Sequence, residues 1–322
     1  MSVKKILLSL SISILITTLL IIYVIYQKEY FLNILNYNFK YLLFLLILNI
    51  ISNITSAFSS KIIINEFGIE IRIINWLGIP VVSNLISMIV PIRLDFIFTA
   101  IMYKNIGLAY HKFSSIIAGS FLISYAFSTI IIFISMLYCL IFQKLFLFYI
   151  WLFAVICLLL LIVFIYLIFN KKELLLNIIP FKKYTLTIVE KITDGLIFLL
   201  SNKILLVKIT ILLLINTLIK IFKFVLIFKM IGISVDFFKA MIYTSVTWFS
   251  EQISITPGNI GIKEAIIGAL SVYTNNLFNN GVLISILLRI IDFSSYFLLF
   301  LIFGFPVFYM YFKIKQKRID KI

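Results

Sequence analysis

The sequence predicts an all-α integral membrane protein with about six full transmembrane helices and two re-entrant broken hairpins. Three observations predict it. Hydrophobic residues fill 63% and charged residues 12% of the 322 positions, against about 45–50% and 25% in a soluble domain, and the mean hydropathy is +1.20. Uncharged runs long enough to cross the hydrocarbon core recur along the chain. The 28 Lys and Arg exceed the 12 Asp and Glu by a formal charge of +16, and most of that excess falls in short loops between the runs. On such a chain a basic excess sets topology and contacts anionic lipid rather than nucleic acid. A water-soluble domain, a disordered chain and a disulfide scaffold are excluded.

A helix needs about 20 apolar residues to span. Lys4 and Lys5 precede the uncharged stretch Ile6 to Tyr26, which is longer than the h-region of a signal peptide. The first alanine is Ala57, so no small-residue cleavage site precedes it, and 6–26 reads as a retained first span. Further spans are 41–60, 113–142, 145–169, 204–228 and 282–311, with a tight hairpin turn at Gln143-Lys144. Segments 73–92, 94–103, 237–256 and 262–274 are apolar but interrupted by Pro80, Pro91, Glu251 and Pro257. At about 1.5 Å per residue the two shortest reach only halfway across. In the connection 170–203, Leu186, Val189, Ile192, Ile197 and Leu200 recur near helical spacing, with Lys182, Lys183, Glu190, Lys191 and Asp194 on other faces. That pattern predicts an amphipathic helix on the membrane surface. The whole is one polytopic membrane domain over 1–322, with a candidate inverted repeat relating 41–142 to 204–311.

Counting Lys and Arg gives the sidedness. With the N-terminus inside, 17 of the 28 fall in inside loops and five outside, at 28, 40, 144, 229 and 239. Both termini are therefore expected to be cytoplasmic. Residues 73–103 then enter and leave on the cytoplasmic face, and 237–274 on the other. Cys139 and Cys157 lie in apolar runs and read as small hydrophobes, and His111 sits beside Lys112 in a loop. Neither a metal centre nor a catalytic constellation is expected from them, and no cofactor.

The two interrupted hairpins hold the specific chemistry. The first turns at Pro91-Ile92-Arg93-Leu94-Asp95, the second at Thr256-Pro257-Gly258-Asn259-Ile260-Gly261-Ile262-Lys263-Glu264. Each has a proline at the break and a basic–acidic pair after it, where a half-helix begins. Discontinuous helices of opposite orientation point to a transporter-type site near the midplane, because non-helical backbone survives at that depth only against protein or water. A half-helix N-terminus offers unpaired N–H groups and a positive dipole end, which attract phosphate or carboxylate. Intramembrane charge costs about 2.5–3.5 kcal/mol per residue even on the lenient scale. The candidate substrate-binding set is Arg93, Asp95, Glu251, Pro257, Gly258, Gly261, Lys263, Glu264, Arg289 and Asp292. Arg289 and Asp292, three apart on one helix face, are expected to neutralise each other. Lys220 and Lys223 are expected to snorkel to the outer surface.

The run from Pro257 to Ala265 resembles the signature of the lysylphosphatidylglycerol synthase transmembrane-region (flippase-like) family: proline, two glycines, a hydrophobe, glycine, a hydrophobe, a basic residue, then Glu-Ala. Asn259 replaces the second glycine, and Lys263 stands where arginine is usual. Pro91-x-Arg93-x-Asp95 resembles an earlier element of that family without its glycine before the acid, and Arg289 matches an arginine of the last span. The resemblance covers about residues 10 to 310. It implies a translocator of anionic or aminoacylated phospholipid or a related envelope lipid in the plasma membrane, a stand-alone member without the soluble synthase domain. No aminoacyl transfer is then expected. Membrane lipids are the implied partners, with envelope-biosynthesis enzymes beside them. The alternatives are a membrane-embedded glycosyltransferase-like enzyme, which lacks a paired-acid loop here, and an accessory factor of envelope lipid or polysaccharide synthesis, which leaves the tips unexplained.

Overall fold

The computed structural model of the protein describes residues 11, 18–19, 21–29, 40–90, 94–143, 148–170, 183–252 and 256–311. Most of the expected first span 6–26, the tip residues 91–93 and part of the 170–203 connection lie outside them. Ten α-helices cover most of the described residues: α1 (Lys40–Glu66), α2 (Ile73–Ile89), α3 (Leu94–Asn105), α4 (Tyr110–Gln143), α5 (Phe148–Asn170), α6 (Lys183–Ser201), α7 (Lys203–Met230), α8 (Phe237–Gln252), α9 (Ile262–Tyr273) and α10 (Phe278–Leu299). No strand occurs among the described residues. A π-helical turn, Phe300–Gly304, continues α10, and a 3-10 turn, Pro257–Asn259, lies between α8 and α9.

Four stretches are long and apolar enough to cross a membrane: Lys40–Glu66, Tyr110–Ile141, Lys203–Met230 and Phe278–Tyr311. They coincide with four of the expected spans. The apolar α5 corresponds to a fifth, with Leu159, Leu160 and Val163 exposed; a large apolar surface turned outward is what hydrocarbon, not water, accommodates. Each interrupted segment holds two separate helices, α2 with α3 and α8 with α9. With 17, 12, 16 and 12 residues, α2, α3, α8 and α9 rise about 18–26 Å each, short of the roughly 30 Å core. Pro80 sits inside α2 without ending it.

Two compact units emerge, one from residues 1–54, 73–99 and 217–322, the other from 55–72 and 100–216. In the second, α6 packs against α4. Ser115 Oγ donates to the Ile192 carbonyl at 3.0 Å, Gly195 has no room for a Cβ against Ser115, and a Cβ on Gly119 would lie 3.0 Å from Leu199. The buried face of α6 is Thr193, Leu196 and Leu199, with Glu190, Lys191 and Asp194 exposed. The buried stripe differs from the one read in the sequence. The amphipathic pattern is present, but its apolar face is used against protein, one step round from the stripe read in the sequence. His111 is also corrected, from a loop to the first turn of α4.

In the first unit, each broken hairpin is tied by hydroxyls. The Thr99 hydroxyl meets that of Ser83 at 2.8 Å, and Ser83 Oγ lies 3.3 Å from the Asp95 carbonyl, joining α2 to α3. Tyr243 OH meets Ser271 Oγ at 3.0 Å and Thr274 Oγ1 at 2.7 Å, joining α8 to α9. Two glycines let helix backbones touch. A Cβ on Gly281 would collide with the Ile267 carbonyl and Gly268 of α9, and one on Gly78 with the Phe303 carbonyl of the π turn. Small residues at such crossings are how helices pack where lipid offers no hydrophobic drive. The α9–α10 approach sets the site, because it brings Glu264 under Arg289.

Candidate functional site

The backbone between α8 and α9 is shaped by two left-handed residues in succession, Gly258 at φ +54 and Asn259 at φ +56. Glycine enters that region without a Cβ clash and asparagine tolerates it better than most residues. Pro257 starts the 3-10 turn, where its missing N–H costs nothing. The Thr256 hydroxyl donates to the Ile260 carbonyl at 2.9 Å, and Asn259 Nδ2 donates to the Ser250 carbonyl of α8 at 2.9 Å. Broken backbone at this position is thus closed by its own side chains.

Glu264 fastens the tip to α10. It is 1% exposed. One oxygen accepts from the Gly261 N–H at 2.6 Å; the other accepts from Arg289 Nη2 at 2.8 Å, with Ser285 Oγ and Arg289 Nε at 3.3 Å. Arg289 Nη1 also donates to the Gly258 carbonyl at 2.7 Å. The start of α9 was expected to present free N–H groups to an anion. Instead Glu264 occupies the Gly261 N–H from within the chain, so the half-helix end is already partly neutralised. A Cβ on Gly258 would fall 2.9 Å from Arg289 Nη1, at a φ of +54 that L side chains rarely adopt. Gly258→Ala is therefore expected to cost about 1–2 kcal/mol from the backbone alone, plus the displaced Arg289 bond. It should show as a lower unfolding temperature in detergent, and an unchanged midpoint would contradict this geometry.

A second set of charges runs through the same unit. Lys263 Nζ lies 3.1 Å from Glu251 Oε1 and 3.7 Å from Asp292 Oδ2, and Lys223 Nζ lies 3.4 Å from Asp292 Oδ1. Lys223 also donates to Asn49 Oδ1 of α1. Asn49 Nδ2 donates in turn to Ser295 Oγ at 2.5 Å, and Asn53 Nδ2 to the same oxygen at 3.2 Å. Two expectations are corrected here. Arg289 and Asp292 do not pair with each other. At three residues' separation they turn to different neighbours, Glu264 on one side and two lysines on the other, because interhelical partners offer better geometry than the same helix does. Lys223 does not snorkel: it is 6% exposed, held inward by Asp292 and Asn49.

The charges surround a polar cavity of about 240 Å³, whose wall includes Glu251, Lys263, Arg289 and Asp292, with Asn84 and Ser87 of α2, Gly258 and Asn259 of the tip, and Tyr296. An apolar groove of about 270 Å³, lined by Ile89, Ile260, Ile290 and Phe293, shares Met88 and Arg289 with it. Of the ten residues singled out in the sequence, Glu251, Gly258, Lys263, Arg289 and Asp292 line the cavity. Pro257, Gly261 and Glu264 do not line it; Glu264 bonds Arg289, which does. Asp95 is buried on α3, 5% exposed, and does not line it. Arg93 lies outside the described residues. Lys223, Asn49, Asn84, Ser87 and Tyr296 were missed. For Asn49 and Lys223 a signal existed, a polar residue within an otherwise apolar run, which in a membrane marks a helix contact or pathway.

Among the described residues no group of three or more His, Cys, Asp or Glu is arranged to hold a metal. The arrangement offers two cations and two carboxylates at a cavity wall, beside an apolar groove, within helices that present hydrocarbon-compatible surfaces. A family model described as the lysylphosphatidylglycerol synthase TM region matches residues 6–302. No curated protein and no solved structure matches the chain.

Proposed function

The chain belongs to the lysylphosphatidylglycerol synthase transmembrane-region family, and on that premise we propose that it moves a phospholipid between the leaflets of the membrane. Family and apolar helices together make it a multi-pass membrane protein of lipid or envelope biosynthesis or transport; translocation is the finer reading. The observation that carries it is the polar cavity of about 240 Å³ with Lys263, Arg289, Glu251 and Asp292 in its wall. Opposed charges held at fixed spacing complement a headgroup that has both a phosphate and an amine or hydroxyls. Arg289 and Lys263 suit the phosphate, and Glu251, the most exposed of the four at 40%, suits the donor end.

The size of the cavity supports a headgroup with its tails outside. Pockets that enclose a drug-sized ligand are roughly 300–1,000 Å³, more than this one offers. The neighbouring apolar groove, sharing Arg289 and Met88, suits an acyl chain, which a free anion would not need. We read the termini as cytoplasmic on the 17-to-5 division of Lys and Arg between the faces, and the membrane as the plasma membrane on the family resemblance. Leaflet exchange of labelled phosphatidylglycerol, its lysyl derivative and phosphatidylethanolamine in proteoliposomes tests the function. Exchange well above that of protein-free vesicles for at least one lipid is expected; exchange at the protein-free rate for all three would overturn the proposal.

A further inference from the structure

We propose that Glu251 is a proton-binding site of the cavity: it takes up a proton from water when the bound headgroup is anionic and has no amine, so that such a lipid enters together with a proton. The inference rests on the lipid reading above and adds to it the coupling ion.

Three carboxylates belong to the charge cluster, and each is held differently. The Glu264 side chain is 2% exposed and lies against Arg289 at 2.8 Å. Asp292, 22% exposed, has two lysines, Lys223 at 3.4 Å and Lys263 at 3.7 Å, and Lys220 of α7 acts on it from further off. Glu251 is 40% exposed and meets Lys263 of α9 at 3.1 Å. It shares the cavity wall with Arg289, Asp292 and Tyr296 of α10, to which α2 adds the uncharged Asn84 and Ser87.

Lys263 is thus divided between two carboxylates, and it is also one of the two cations offered to a phosphate. A phosphate at Lys263 brings a third oxyanion to one ammonium. Like charges at that separation disfavour ionisation, and a proton is accepted where water can deliver it. Asp292 keeps Lys223 and Glu264 keeps Arg289, both less exposed than Glu251. A headgroup with an ammonium supplies Glu251 with a new cation. A headgroup without one leaves a proton as the substitute: hydronium gives it to a carboxylate oxygen of Glu251, which becomes a neutral acid, and no other bond is made or broken.

Two lipids with the same tails separate the cases. Dioleoyl phosphatidylglycerol is anionic and has no amine, whereas dioleoyl phosphatidylethanolamine joins the same phosphate to an ammonium. The purified full chain is titrated calorimetrically with each, in buffers of different ionisation heat, between about pH 5 and about pH 8, a range in which neither phosphate nor ammonium titrates. Wild-type affinity for the glycerol lipid is expected to fall as pH rises, toward about tenfold per pH unit, the limit for one linked proton. Proton uptake on binding should accompany the glycerol lipid and not the ethanolamine lipid, whose affinity should stay level. Glu251→Gln holds the neutral form permanently and should bind the glycerol lipid at every pH as wild type does at the acid end. A glycerol-lipid affinity level with pH, a folded Glu251→Gln that keeps the dependence, or equal proton uptake with both lipids overturns this inference and leaves translocation standing. If Glu251→Gln does not fold, the two wild-type proton counts decide alone. Failure to bind either lipid also overturns it, and if no lipid exchanges in proteoliposomes the lipid reading falls with it.

Discussion

Glu264→Ala is expected to be the most destabilising single change in the site. It removes the carboxylate that pairs with Arg289, accepts from Ser285 and caps the Gly261 N–H. A cation, a hydroxyl and a backbone donor then lose their acceptor together inside the protein. Breaking a buried ion pair by deleting one partner costs about 3–5 kcal/mol, and an orphaned backbone donor adds about 1–3 kcal/mol. Against a typical total of about 5–15 kcal/mol, the variant should unfold at a markedly lower temperature in detergent or fail to purify as a monodisperse species. Glu264→Gln keeps an acceptor for Gly261 and should fall between. The double variant Glu264→Ala/Arg289→Ala should cost less than the sum of the singles, since no unpaired charge is left behind. Additive costs would show that the pair does not act as a unit.

Lys263→Met is expected to give the largest loss of function for the least loss of fold. Its two partners tolerate the change: Asp292 keeps Lys223 at 3.4 Å, and Glu251 is 40% exposed and can take water. The methionine retains an unbranched apolar stem of similar length. What disappears is a cation in the cavity wall. If the headgroup phosphate binds there, exchange in proteoliposomes should fall at least tenfold, while the unfolding midpoint moves by only a few degrees. Exchange equal to wild type in a folded Lys263→Met would sink the assignment of the phosphate to this wall. The contrast with Glu264 separates the two roles. One residue builds the tip, the other faces what the tip encloses.

Both residues stand in one nine-residue motif, and nothing in their order distinguishes them. Their roles follow from the register between α9 and α10. Gly281 and Gly268 allow the two helices to approach until Arg289 lies over Glu264, while Asp292, one turn on, meets Lys263 from α9 and Lys223 from α7. In sequence terms Arg289 and Asp292 are natural partners, because a helix brings residues three apart to one face. That local rule loses here to stronger contacts between helices. The same reasoning explains the misreading of Lys223. A lysine near the end of a span ordinarily reaches for water, unless a carboxylate and an amide from other helices wait inside.

The sequence by itself determined the class of the molecule, the places of four long spans, the turn at Pro257–Asn259 and the membership that its Pro257–Ala265 motif signals. These are legible because hydropathy and the hydrogen-bond demands of proline and glycine act locally along the chain, with no reference to partners. Tertiary structure alone decided which acid meets which base, that α6 turns its apolar face to α4, and that Asn49, Asn84 and Tyr296 join the site. Each of these depends on the rotation and depth of one helix against another. Helix packing in an apolar medium is fixed by small residues and a few polar contacts distant in sequence, so it is settled only when the helices meet.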